Sequence, residues 1–282
     1  MKPLGAFLRC TGLSDPEEAL AAVKSIGLDT IQVSKLDDSF YTPEGARRFG
    51  AMMDAAGVSA TSVVIVFDGE SYRDWKAVED TVGFRPAALL EARLAYSRTC
   101  VDFAEGLGVG VVTVHMGLLP DDPSDPVYVR LLSSVRELAA YAEGHGITLS
   151  LETGQETGEQ LARFLDRIPD HDVGVNFDLA NMVLYRMDDP TSALKRVIDR
   201  VTSVHVKDGL PPDRPGALGR ETRLGEGRAR VKECLRILHE SEFGGPLIIE
   251  NYTWRELGTE PLDELRRAKE FVETALTEIG AG

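Results

Sequence analysis

The chain is short of several things that commonly declare a function. It has three cysteines in 282 residues, Cys10, Cys100 and Cys234. An odd, sparse, unpatterned set builds no disulfide framework, which points to a reducing cytoplasm. Each lies in or beside an apolar element and reads as a small buried hydrophobe rather than a nucleophile. No window approaches the run of about 18 uncharged apolar residues that crosses a bilayer. The opening MKPLGAFLRCTG carries one Lys, a short apolar stretch and then Arg9, so it reads as a first strand and not as a signal peptide. Basic residues are scarce: 31 Lys and Arg stand against 46 Asp and Glu, a formal net charge of −15. That balance argues against a nucleic-acid face, which needs clustered cations, and against binding to an anionic membrane. There is no linker, no low-complexity tract and no G-x-G-x-x-G after the first strand.

What the chain has is alternation. Short apolar runs at residues 4–9, 30–34, 58–66, 110–115, 147–152, 173–178, 203–207 and 246–250 read as strands. Amphipathic stretches at 15–25, 43–56, 86–107, 126–143, 157–168, 190–200, 228–240 and 261–278 read as helices, several with Pro in the first turn and Gly at the stop. Alternating strands and helices demand a parallel sheet, because every crossover needs a helix. Eight such units predict an α/β fold, a (β/α)₈ TIM barrel with residues 1–282 as one domain. A doubly wound open sheet would gather its polar residues at one switch point. Here they accumulate at the C-terminal ends of many strands. Two connections are long, at 67–83 and 208–227. Both fall on the face where barrel active sites lie, and both read as lids.

The strand ends carry the chemistry. The fourth strand ends in His115, the fifth in Glu152, the sixth in Asp178 and the eighth in Glu250, while the seventh carries His205 and Lys207. The two-residue period turns each of these toward the barrel mouth and its apolar neighbours toward the helices. Glu152, Asp178, His205 and Glu250 thus stand at one level on four consecutive strands. Three carboxylates converging at an apolar rim repel strongly without a cation. One divalent metal resolves this, and an oxygen-rich set with one imidazole suits Mn²⁺ or Mg²⁺, with Co²⁺ or Zn²⁺ also admissible. Lys207 reads equally as a substrate contact or as an ion-pair partner of Glu152 or Asp178. His115 reads equally as a substrate contact or a structural hydrogen bond. Leu224-Gly225-Glu226-Gly227, with Arg220, Arg223 and Arg228 nearby, reads as a phosphate loop or, more simply, as a solvated charge cluster.

Leu151-Glu152-Thr153-Gly154-Gln155-Glu156, Asn176-Phe177-Asp178-Leu179-Ala180-Asn181-Met182, Val204-His205-Val206-Lys207-Asp208-Gly209 and Leu247-Ile248-Ile249-Glu250 together resemble the sugar phosphate isomerase/epimerase superfamily, the xylose isomerase-like barrels. The likeness is carried by residues 110–252. It implies a divalent metal held by Glu152, Asp178, His205 and Glu250, with Glu152 and Glu250 also serving as acid and base. It implies a carbohydrate isomerase or epimerase that abstracts a proton next to a carbonyl through a metal-stabilised enediolate. Asn181 stands where ketohexose 3-epimerases keep a substrate-binding His, and their Arg after the metal His has no clear match here. Asn181, His115 and Lys207 are the expected substrate contacts. The same intermediate can expel a leaving group, so a lyase or dehydratase on a keto-inositol or keto-glycoside is the alternative. A nuclease resembling endonuclease IV needs many His ligands and a basic face, whereas the chain has five His and an acid excess. A non-catalytic sugar-binding barrel is the remaining reading. The expected partners are a small carbohydrate and, as is common for such barrels, further copies of the chain.

Overall fold

Asp15, Thr42, Asp74, Asp125, Thr157 and Asp189 each stand one residue ahead of a helix and accept a backbone N–H from its first turn. Such caps satisfy amides that the helix itself leaves orphaned, and each is worth about 1 kcal/mol. Thr157 and Gln160 form a full reciprocal box. Pro at the first helical position adds a fixed φ to four of these starts, those after Asp15, Thr42, Asp125 and Asp189. At the other end, Gly57 and Gly108 close their helices with φ of 62° and 69°, where a side chain would be strained.

A computed structural model describes residues 3–280. Its strands are β1 Leu4–Phe7, β2 Thr30–Val33, β3 Ser59–Ile65, β4 Val111–Val114, β5 Thr148–Glu152, β6 Val173–Asp178 and β7 Val201–Val206. They continue with β8 Asp208–Leu210, β9 Arg220–Thr222 and β10 Leu247–Ile249. All but β8 and β9 close into one parallel barrel in the order β1-β10-β7-β6-β5-β4-β3-β2. The long helices are α1 Pro16–Ser25, α2 Pro43–Ala56, α4 Leu90–Leu107, α5 Pro126–Gly144, α6 Gly158–Leu165, α8 Pro190–Val197, α9 Val231–Glu240 and α11 Pro261–Glu278. Three short ones, α3 Trp75–Thr81, α7 Asn181–Leu184 and α10 Thr253–Leu257, sit in the connections. The expected (β/α)₈ architecture is therefore present. Among the described residues no helix is long and apolar enough to cross a membrane.

The elements differ from expectation mainly where local geometry overrides pattern. The first strand stops at Phe7, and Leu8–Thr11 turns into a 3₁₀ helix held by the Thr11 hydroxyl on the Leu8 carbonyl. The long connection after β7 contains an antiparallel hairpin, β8 with β9. Three-residue strands show no period, so the sequence pattern hides them.

The core has two layers. Leu149, Leu151, Phe177, Val204 and Val206 face the helices and are essentially inaccessible. Inside the barrel part of the lining is polar. Gln32 on β2 donates across the lumen to Asn176 Oδ1 on β6 (3.4 Å) and to Ser203 Oγ on β7 (3.3 Å). Cys10, Cys100 and Cys234 are buried and unbridged.

Candidate metal and substrate site

Four adjacent strands, β5, β6, β7 and β10, end at one height on the barrel rim. Their register sets this: Glu152 lies opposite Asn176, Asp178 opposite His205, and Ile248 opposite His205. One ligand atom from each of Glu152, Asp178, His205 and Glu250 lies within 4.8 Å of every other, and all four residues are buried. The imidazole is central. His205 Nδ1 is 3.0 Å from Glu250 Oε2, 3.2 Å from Glu152 Oε1 and 3.7 Å from Asp178 Oδ2.

Partners behind the cluster decide which atoms face it. Asp178 Oδ1 accepts the Ala180 and Asn181 amides, both at 2.8 Å, which leaves Oδ2 for the cluster. His205 Nε2 donates to Gln32 Oε1 at 2.6 Å. That bond holds a proton on Nε2 and turns Nδ1 toward the carboxylates. Asp178 Oδ2, His205 Nδ1 and Glu250 Oε2 are buried atoms without a hydrogen-bond partner among the described residues. Single orphans of this kind are rare. Three converging on one point, with a donor set of three carboxylates and an imidazole, fit one divalent ion.

The electrostatics state the same demand. Burial alone would raise the Glu152 carboxyl, yet His115 and His205 hold it well below the usual carboxylate range. Burial works the same way on Glu250, and Lys207 and His205 bring it down to about 2. For His205 burial opposes charge, but Glu152 and Glu250 lift it well above the usual imidazole range. The carboxylates thus compete for whatever cation is near.

The other expected contacts fall around this cluster with distinct partners. His115 Nε2 lies 3.2 Å from Glu152 Oε1, and the Tyr72 ring faces it at 6.2 Å between centroids. Lys207 Nζ is 3.3 Å from Glu250 Oε2, 3.4 Å from Glu221 Oε1 and 3.7 Å from Asp178 Oδ2. It is therefore an ion-pair partner of the cluster, although not of Glu152. The Asn181 side-chain amide donates to the Thr153 carbonyl at 2.9 Å, tying the β5 and β6 loops together. His145 and His171 pair with Glu105 and Glu143, away from the rim.

These residues border a cleft of about 600 Å³, within the roughly 300–1,000 Å³ range of small-molecule sites. Both long connections line it, through Phe67, Glu70 and Tyr72 on one side and Leu218, Arg220 and Glu221 on the other. They meet where the Trp75 amide donates to the Gly216 carbonyl at 3.0 Å.

The segment 224–227 is not a phosphate loop. The Gly225 and Gly227 amides donate to Asp208 Oδ2, and the Gly209 and Ala229 amides to Asp208 Oδ1, all within 2.8–3.0 Å. Its amides are spent on the chain itself, and Arg223 is spent on Glu264 by two bonds of 2.8 and 2.7 Å. Two neighbours of the cluster escaped the sequence reading. Gln32 had a signal, a polar residue at a lumen-facing position of an otherwise apolar strand. Glu221 had none, since the hairpin that carries it is invisible to periodicity.

A parallel eight-stranded barrel with a buried carboxylate–imidazole cluster at its C-terminal mouth, beside a small-molecule cleft, defines the class. Residues 20–275 match the profile of the xylose isomerase-like TIM barrels. The chain belongs to that family. A xylose isomerase domain protein from Planctomyces limnophilus superposes with a TM-score of 0.86 at 33% identity, covering 93% of each chain. A family structure from Mycobacterium smegmatis, in complex with magnesium, gives 0.74 at 21% identity over 99% of this chain and 98% of that one. The L-ribulose-5-phosphate 3-epimerase UlaE of Escherichia fergusonii is 21% identical over 274 residues, 93% of this chain and 90% of the relative.

Proposed function

We propose that the protein is a divalent-metal-dependent carbohydrate epimerase or isomerase acting at the carbon next to a carbonyl. The observation that carries the reading is the convergence of three buried atoms without a formed hydrogen bond, Asp178 Oδ2, His205 Nδ1 and Glu250 Oε2, at the base of a sugar-sized cleft. Glu152, Asp178, His205 and Glu250 would hold the ion. The oxygen-rich donors favour Mn²⁺ or Mg²⁺, and the family structure from M. smegmatis carries magnesium. A bound divalent ion supplies Lewis acidity, which makes the hydrogen next to a carbonyl removable.

The chain's own groups do the rest. Glu152 and Glu250 stand three strands apart around the ring, on β5 and β10, so they flank a sugar seated between them. One carboxylate takes the proton from one face of the carbon, and the other returns a proton to the opposite face. His115, 3.2 Å from Glu152, is placed to orient that carboxylate. Lys207, held among Asp178, Glu221 and Glu250, is placed to donate to a substrate oxygen. The two long connections wall the cleft on two sides. An epimerase named for L-ribulose 5-phosphate among the relatives supports the same reaction class.

The test is solvent exchange. Protein loaded with Mn²⁺ is incubated in D₂O with a panel of ketoses and their phosphates. Epimerisation leaves the carbon skeleton intact and places one deuterium at the carbon beside the carbonyl. Loss of water or of a substituent contradicts the reading and favours a lyase.

A further inference from the structure

Five cationic side chains line the cleft: Arg9, Lys35, Lys207, Arg220 and Arg255. Two are already matched. Lys35 is paired with Asp68, and Lys207 with Asp178, Glu221 and Glu250. The other three, Arg9, Arg220 and Arg255, have no carboxylate partner among the described residues. This happens in a chain with 46 acidic residues against 31 basic ones.

The three come from separate segments of the chain and line one cleft. The Arg255 guanidinium lies 4.4 Å above the Tyr252 ring. Arg9, in the 3₁₀ turn after β1, lines the same cleft as Tyr252. Arg220 precedes Glu221, whose Oε2 accepts the Tyr252 amide at 2.9 Å. Of the carboxylates on this wall, Glu221 is committed to Lys207 and that amide, and Glu256 remains. The structure also separates these arginines from their sequence neighbours, since Arg223 is bound to Glu264 and Arg228 lines a different cavity.

We propose that Arg9, Arg220 and Arg255 form an oxyanion subsite that receives an anionic substituent, a phosphate ester or a carboxylate, of the sugar bound in the cleft. The guanidinium is a planar fork of donors that matches such oxygens two at a time. The Tyr252 and Trp254 rings, 4.4 and 5.1 Å from the Arg255 guanidinium, support its plane. The proposal rests on reading the cleft as a ketose site and adds the charge of the ketose.

Calorimetry on Mn²⁺-loaded protein tests it with three probes: D-ribulose, D-ribulose 5-phosphate and 5-keto-D-gluconate. At least one anionic probe binds about tenfold or more tightly than D-ribulose, and the tighter of the two names the phosphate or the carboxylate source. In the triple variant Arg9→Gln/Arg220→Gln/Arg255→Gln that advantage falls to within about twofold, while affinity for Mn²⁺ and D-ribulose is kept. Arg228→Gln keeps the advantage. Equal binding of neutral and anionic probes by the wild type overturns the subsite, as does an advantage that survives in the triple variant. A second readout needs no metal. Inorganic phosphate raises the melting midpoint of the metal-free wild type and not that of the triple variant, and identical shifts in the two overturn the proposal. Failure of Mn²⁺ to bind instead counts against the metal reading and leaves the phosphate readout in force.

Discussion

The two halves of the barrel rim are built alike and furnished differently. The strands β1 to β4 end in Phe7, Val33, Ile65 and Val114, which are buried hydrophobes. The strands β5, β6, β7 and β10 end in or against Glu152, Asp178, His205 and Glu250. Parallel strand pairing runs through both halves, with one register shift in each, between β2 and β3 and between β6 and β7. From the first half Phe7, Val64 and Ile65 give the cleft an apolar wall, with His115 at its edge, and the second half supplies the cluster. Phe7 makes the seam, its ring 5.9 Å from that of His205. A rim of eight strands needs only half its ends to make the cluster, which leaves the other half free to shape the cleft.

The largest effect should come from the charged half. Glu152→Gln keeps the shape of the side chain but removes its basicity. Deuterium incorporation from D₂O into a bound ketose should fall by about 10²–10⁴-fold, the usual worth of a positioned acid or base. A conservative change at the apolar half, Ile65→Val, should leave exchange within about twofold and cost about 1 kcal/mol of stability. If both changes lowered exchange equally, the division between the halves would fail.

Gln32→Leu sharpens the comparison, because Gln32 sits on β2, in the apolar half, yet reaches across the lumen to His205. Removing an orienting partner of a metal-bound imidazole commonly costs about 10–100-fold in metal affinity. Titration of Mn²⁺ should show that loss. Unchanged affinity would mean that His205 is held by packing alone.

Asp208→Asn tests the strap below the cleft. Its carboxylate accepts four backbone amides, and a neutral amide offers only one oxygen to them. The variant should lose about 1–3 kcal/mol in urea unfolding, with Mn²⁺ affinity kept.

The smallest effect lies farthest from the rim, at the α8 cap. Partial burial works against ionisation of Asp189, but the Thr191 hydroxyl, the Ser192 amide and Arg230 hold its carboxyl at about 2. A carboxyl depressed in the folded state stabilises above its unfolded value of about 3.9, and that contribution fades as pH falls toward 2. The difference in urea midpoint between wild type and Asp189→Ala should therefore be steady near neutrality and shrink in acid. A difference that grows in acid would contradict the assignment.

The contrast between halves also explains what could be read from sequence. The barrel is legible because strand–helix alternation repeats eight times, with Pro16, Pro43, Pro126 and Pro190 in the first turns of their helices. The cluster was legible because a charged residue at the end of an apolar strand is conspicuous, as at Ile248-Ile249-Glu250. Lys207 was placed on the correct side of its strand, but its partner Glu221 was not foreseen. Glu221 arrives on a three-residue strand whose position depends on pairing with β8, a long-range event that leaves no local pattern. The less simple reading of 224–227, a phosphate loop, is disfavoured for a related reason. Glycines advertise free amides, but only the fold shows that Asp208 takes them.

The central claim is that Glu152, Asp178, His205 and Glu250 hold one divalent ion at the floor of the cleft. Anomalous diffraction from a crystal grown with Mn²⁺ tests it most directly. The account predicts a single strong peak among Glu152, Asp178 Oδ2, His205 Nδ1 and Glu250 Oε2. A cluster without a peak, or a peak held by other residues, would contradict it.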